Sequence, residues 1–234
     1  MRKIIFMLAV VITVITSAQS TKEISYGAYL NASKTMWEKA VKSAENQKGA
    51  KSFEKAAALY GLLNNTMATQ DEETFDEYKD ATIELLEELI ESNEEWGEPR
   101  AVLSSVYGLV MAYSPMKGMY LGMKSSSLIE EAVELQPESP LVQKLFASSK
   151  LYTPEMFGGD PEQAVESFKK SLSLYENGDT ANNWLYLDTM MGLSLAYRKT
   201  EQQDKAIATL EKAIDLEPDY HWGKSSLKRL KEKS

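Results

Sequence analysis

The side chains able to do chemistry in this chain are few in kind. Among 234 residues there is one histidine, His221, and no cysteine, so neither a thiolate nucleophile nor a Cys/His zinc site can be assembled. Carboxylates are plentiful: thirteen of the thirty-five acids fall between Asp71 and Glu98, where Lys79 is the only base. Glu73, Glu77, Asp80, Glu84, Glu87 and Glu91 recur every three or four residues, which makes a stripe on the solvent side of one helix. Glycoside hydrolysis needs two carboxylates held across a cleft, and calcium binding needs oxygens converging from a glycine-containing loop. A one-sided stripe supplies neither, though it could dock a basic partner.

The other concentration is Met111, Tyr113, Met116, Met119, Tyr120 and Met123. Thioethers can hold copper(I), and Met116 and Met119 are spaced to share one ion. No cysteine or histidine stands near them, and adaptable packing is the simpler use of such side chains. His221, next to Trp222, reads as a surface or capping residue of a last helix. No glycine-rich phosphate loop is present. The sequence assigns no catalytic, cofactor-binding or metal-binding residue, and the reading is non-enzymatic.

The first eighteen residues stand apart. Arg2 and Lys3 precede an apolar run from Ile4 to Ile15, and Thr16-Ser17-Ala18 puts small residues where a signal peptidase would cut. The run is shorter than the roughly 20 residues that span a bilayer. Residues 1–18 are expected to be a removed secretory signal, with a soluble mature chain in the periplasm, or secreted. Without a cysteine, no lipid can be attached at the junction. The whole chain carries a net charge of −9, and loss of Arg2 and Lys3 makes it −11. Such a chain repels nucleic acid and anionic lipid unless a local patch overrides the total. The basic cluster Lys224 to Lys233 fits the end of a terminal helix, where cations complement the dipole.

After Thr21 the apolar periodicity is helical throughout, punctuated by glycine and proline, with no sustained alternation of period two. The expected fold is all-α, with about ten helices. A first helix is predicted over Ile24 to Glu45. A second, starting near Phe53, ends before Asn64-Asn65, and a third covers Glu72 to Ser92. Others follow over Glu98–Tyr113, to Leu135, Pro140–Tyr152, Pro161 to Asn177, Ala181–Lys199, Asp204–Leu216 and from Asp219. Proline in a first turn and aspartate at a cap mark several of the starts. Paired glycines in Thr153–Pro161 allow a tight reversal before a capped helix.

Ala206, Leu210, Ala213 and Pro218 recur as Ser125, Ile129, Ala132 and Pro137. With Met190, Leu193, Ser194 and Tyr197 before them, the stretch Leu187 to Tyr220 resembles a tetratricopeptide repeat. The same template laid on the earlier stretch selects Leu109, Ala112, Tyr113 and Met116. Leu151, Ala164, Phe168 and Ser171 suggest a third copy, set 39 residues from the first and 42 from the last by its Ala164, against a family period of about 34. The loop Thr153–Pro161 is similar to one in exported repeat proteins of Bacteroidetes-type bacteria, and to one in a repeat subunit that accompanies periplasmic solute transporters. The resemblance implies a right-handed α-solenoid of stacked antiparallel helix pairs. It divides the mature chain into a divergent helical region (19–97), the repeats (98–220) and a capping helix (221–234).

In that family the first helix of each pair lines a concave groove. The corresponding positions here are Tyr107, Val110, Phe146, Ser149, Asp188, Met191, Leu195 and Arg198, a mixed apolar and polar set suited to an extended segment or a helix. The lysines and asparagines of the family's carboxylate clamp are missing, Met191 and Leu195 standing in their place. The expected function is an exported module that binds a protein or peptide on this face, without cofactor, nucleic acid or stable membrane insertion. The alternative is an accessory subunit of solute uptake with a small ligand between repeats.

Overall fold

The computed structural model describes residues 19–232; the expected signal segment lies outside the described residues. These form eleven α-helices and two 3₁₀ turns, with no strand among the described residues. The helices are α1 (Thr21–Leu30), α2 (Lys34–Lys48), α3 (Phe53–Thr69), α4 (Glu72–Ser92), α5 (Gly97–Tyr113), α6 (Gly118–Leu135), α7 (Pro140–Tyr152), α8 (Pro161–Glu176), α9 (Trp184–Lys199), α10 (Gln203–Leu216) and α11 (His221–Lys231). The 3₁₀ turns are Pro115–Lys117 and Glu155–Phe157.

Local chemistry sets most boundaries. Ser33, Ser52, Asp71, Ser139, Asp160 and Asn183 each accept from a backbone N–H of the helix that follows, satisfying donors that have no partner inside the helix. Two boundaries depart from the periodicity. The single helix expected from Ile24 to Glu45 is broken after Leu30, because Ala32 adopts a left-handed φ of 46° and Ser33 caps a new helix. The second helix does not stop at Asn64-Asn65 but runs to Thr69. There the Asn64 amide bonds back to the Tyr60 carbonyl and the Thr69 hydroxyl to that of Asn65.

Consecutive helices pack as antiparallel hairpins, giving five pairs from α1/α2 to α9/α10, with α11 against α10. The odd-numbered helices also touch in succession, α1 to α3, α3 to α5, α5 to α7 and α7 to α9. They form the inner layer, and the even-numbered helices form the outer one. The layer closes on itself, since α1 also contacts α9. One apolar cluster runs from Ile24 to Leu145 and takes in Trp184 of α9, whose ring lies 5.1 Å from that of Trp37.

Repeat equivalence is visible in one recurring bond. The Ser194 hydroxyl donates to the Ala206 carbonyl at 3.0 Å across twelve residues, and the Ser104 hydroxyl donates to the Ser125 carbonyl at 2.8 Å across twenty-one. Ala132 and Ala213 are both fully buried, and each carbonyl receives the N–H that ends its helix. The second helices thus align as the sequence indicates. The first helices do not: Ser104, rather than Ala112 or Tyr113, is the small residue of that pair, because the α5–α6 turn is longer than the template allows. Ala112 is accordingly exposed, and Met116 is 95 % exposed.

Close packing of helix axes depends on small residues. A Cβ at Gly61 would lie 2.3 Å from the Trp37 ring, which is fully buried and cannot yield. Gly61→Ala is expected to lower stability by about 1–3 kcal/mol through overpacking. Gly108→Ala meets nothing within 4 Å and should hold or raise stability by up to about 1 kcal/mol. Urea unfolding followed by circular dichroism separates the two.

Candidate functional site

The inner layer brings together ionisable side chains from distant segments. Lys144 of α7 and Asp188 of α9 form an ion pair of 2.6 Å, their side chains 4 % and 24 % exposed. The Tyr29 hydroxyl of α1 donates to Asp188 Oδ1 at 3.1 Å and lies 2.7 Å from the Tyr220 hydroxyl. The Lys144 ammonium also sits 6.0 Å from the centre of the Tyr60 ring of α3. Tyr26 donates to Glu217 at 2.7 Å and Lys22 pairs with Asp179 of the α8–α9 turn at 2.8 Å, so three side chains of α1 tie it to the last repeat and the turn before it.

Burial decides the electrostatics here. It would pull the Lys144 ammonium down, but Asp188 and Tyr60 outweigh it and the net direction is upward. Burial pushes the Tyr29 hydroxyl well up, and the Asp188 carboxylate adds to that. Tyr220 is also pushed up by burial, against the bond from Tyr29. Tyr175 of α8 is raised first by burial, while Lys144 acts in the opposite sense. Its hydroxyl is the buried side-chain polar atom without a hydrogen-bond partner among the described residues. Tyr152 is 69 % exposed, yet its hydroxyl is raised by desolvation and feels the charges of Asp188, Lys144 and Arg198.

The structure splits the eight residues selected from sequence. Asp188 is in the ion pair, and Arg198, exposed at the far end of the same helix, makes no ion pair among the described residues. Leu195 is half-buried between two apolar clusters, and Ser149 is half-buried with its carbonyl ending α7. Phe146 is half-buried beneath the Lys150 ammonium, 5.3 Å from its ring centre. Met191 is 2 % exposed inside the C-terminal apolar cluster, so it offers no surface to a partner. Tyr107 and Val110 lie elsewhere. With Ile83, Leu121 and Tyr120 they line an outer groove of about 360 Å³ between α4, α5 and α6, and Tyr107 donates to Glu87.

Sequence reasoning missed Lys144, Tyr29, Tyr60, Tyr152, Tyr175 and Tyr220. Lys144 left a signal: it stands three residues after Leu141 and next to Leu145, on the apolar stripe of its helix. The tyrosines left none, because their partners are more than 150 residues away in the clearest case.

Residues 187–220 match the family model described as Tetratricopeptide repeat. The geometry is similar to that of a thermophilic TPR protein from Thermus thermophilus, at 16 % identity over 90 % of this chain and 96 % of that one, with a TM-score of 0.57. The fold is a tetratricopeptide-repeat-like solenoid. The HusA haemophore from Porphyromonas gingivalis shares it at 18 % identity, over 76 % of this chain and 92 % of that one, also with a TM-score of 0.57. None of the curated proteins matches the sequence. The described residues of this TPR-like array hold no group of three or more His, Cys, Asp or Glu placed to share a metal ion, and no helix among them is long and apolar enough to cross a membrane.

Two outcomes follow from the buried cluster. Asp188→Ala leaves the Lys144 charge buried and unpaired, and should cost about 3–5 kcal/mol in urea unfolding. The second concerns pH. Lys144, Tyr29 and Tyr220 all hold their protons more tightly folded than unfolded, so their contribution is complete below their ordinary values of 10.0 and 10.5 and is lost as pH rises through them. Urea midpoints should fall above about pH 10, and Tyr29→Phe should shallow that fall.

Proposed function

We propose that this protein is an exported, non-enzymatic binding module of the periplasm, or secreted, that holds a segment of a protein partner against its inner helices. The fold is one of scaffolds, and the reading rests on one observation: beside the Lys144–Asp188 pair, α7 and α9 carry Ser149, Tyr152, Leu195 and Arg198, with Tyr152 and Arg198 exposed. An amphipathic phenol and an exposed guanidinium on the two helices that carry a fixed charge pair suit an extended segment with apolar and acidic groups. Removal of residues 1–18 is part of the proposal.

A second reading has its own support. The contact of α1 with α9 narrows the inner space, and the unpartnered Tyr175 hydroxyl lies within the field of Lys144 and Asp188. Both features suit a small ligand held between repeats. Native mass spectrometry of mature protein purified from its own envelope distinguishes the readings. A co-purifying polypeptide supports the first, and a retained small molecule supports the second. For the first, Tyr152→Ala with Arg198→Ala should weaken the recovered partner at least about tenfold, roughly 1.4 kcal/mol, as measured by calorimetry. Undiminished affinity would remove this face from the proposal.

A further inference from the structure

Gln19 stands just ahead of the first helix. Its neighbour Ser20 is the N-cap of α1, and the two ends of the cap are satisfied reciprocally: the Ser20 hydroxyl accepts from the Glu23 N–H at 3.2 Å, and the Glu23 carboxylate accepts from the Ser20 N–H at 2.9 Å. Gln19 takes no part in this. It is exposed, belongs to no helix, and is engaged in no hydrogen bond or ion pair among the described residues.

The small residues Thr16-Ser17-Ala18 put the expected cut of a secretory signal immediately before Gln19. Cleavage site and fold boundary therefore coincide. Hydrolysis there leaves the capping box whole and frees an α-amine on a residue that the fold does not use. On a glutamine such an amine has its own reaction partner, because its nitrogen reaches the side-chain Cδ through a five-membered ring, at the high effective concentration of an intramolecular step. With Gln19 exposed and unengaged, no existing interaction is given up to close the ring. Charge acts in the same direction. A free α-ammonium would stand by the positive end of the α1 dipole and close to Lys22 of the first turn, and Glu23, the acid of that turn, is already held by Ser20. The ring carries no charge.

We propose that Gln19 of the mature chain is converted to pyroglutamate. The α-amine nitrogen attacks the side-chain amide carbon, the N–Cδ bond forms and the Cδ–NH2 bond breaks, and the amide nitrogen leaves as ammonia with the proton given up by the α-amine; nothing is oxidised or reduced. The inference rests on the removal of residues 1–18. Its consequence is protection of the closing helix. Lys22, Tyr26 and Tyr29 of α1 bond to Asp179, Glu217 and Asp188, and stepwise trimming from the amino terminus would reach the Ser20 cap next and Lys22 two residues later. An aminopeptidase needs a free α-amine, and the lactam offers none.

Mass spectrometry tests this on protein recovered from its own envelope or culture fluid, with primary amines labelled before digestion so that a ring cannot form during work-up. The amino-terminal peptide should start at position 19, carry no label on its terminus, and be lighter than the linear peptide by one ammonia. A linear, labelled Gln19 overturns the inference and leaves signal removal standing. A chain that starts at any other residue overturns both. Gln19→Ala should start at the same position with a labelled amine, and a broad-specificity aminopeptidase should shorten this variant while leaving the wild type intact. Equal resistance of the two would remove the protective role.

Discussion

Everything in this molecule depends on a closure made by three side chains. Tyr29, Asp188 and Lys144 come from the first, last and penultimate inner helices, and they meet where water is largely excluded. A buried ion pair adds little net stability over a well-packed apolar substitute, but losing one partner is severe. Its value here is positional. Apolar contacts would let α1 slide along α9, whereas a carboxylate shared by an ammonium and a phenol accepts one register. Trp184 then fills the seam, with its ring against Trp37 and near Tyr29 and Tyr60.

Much of the fold was legible because the forces that define helices are local. Prolines at first turns, serine and aspartate caps and the period of apolar residues place α4, α5 and α7 to within a residue or so. The misreadings had tertiary causes. Nothing in Asn31-Ala32-Ser33 outranks the apolar period, and the break is stabilised by α1 reaching α9. The first-helix register slipped because one template spacing was carried across a turn whose length had changed, while the second helices, anchored by their terminal prolines, kept theirs.

The candidate site was half legible for the same reason. Family spacing selected Asp188 and Arg198 on one helix, and the structure puts the first in the ion pair and the second in solvent. Tyr107 and Val110, selected in the slipped register, line the groove between α4, α5 and α6 instead of the inner cluster. The tyrosines of the cluster are invisible to any local pattern, since a hydroxyl that bonds across 159 or 191 residues has no signature in its own neighbourhood. The acidic stripe lies on α4, in the outer layer, where Asp80 faces the groove shared with Tyr107 and Lys117.

An open stack of hairpins can lengthen by duplicating a unit, since each new unit meets only its neighbours. This chain has given up that freedom. With α1 seated against α9, a sixth hairpin inserted in the stack would push the two ends apart and take the Tyr29 hydroxyl away from Asp188. The number of hairpins is therefore tied to the geometry of the seam.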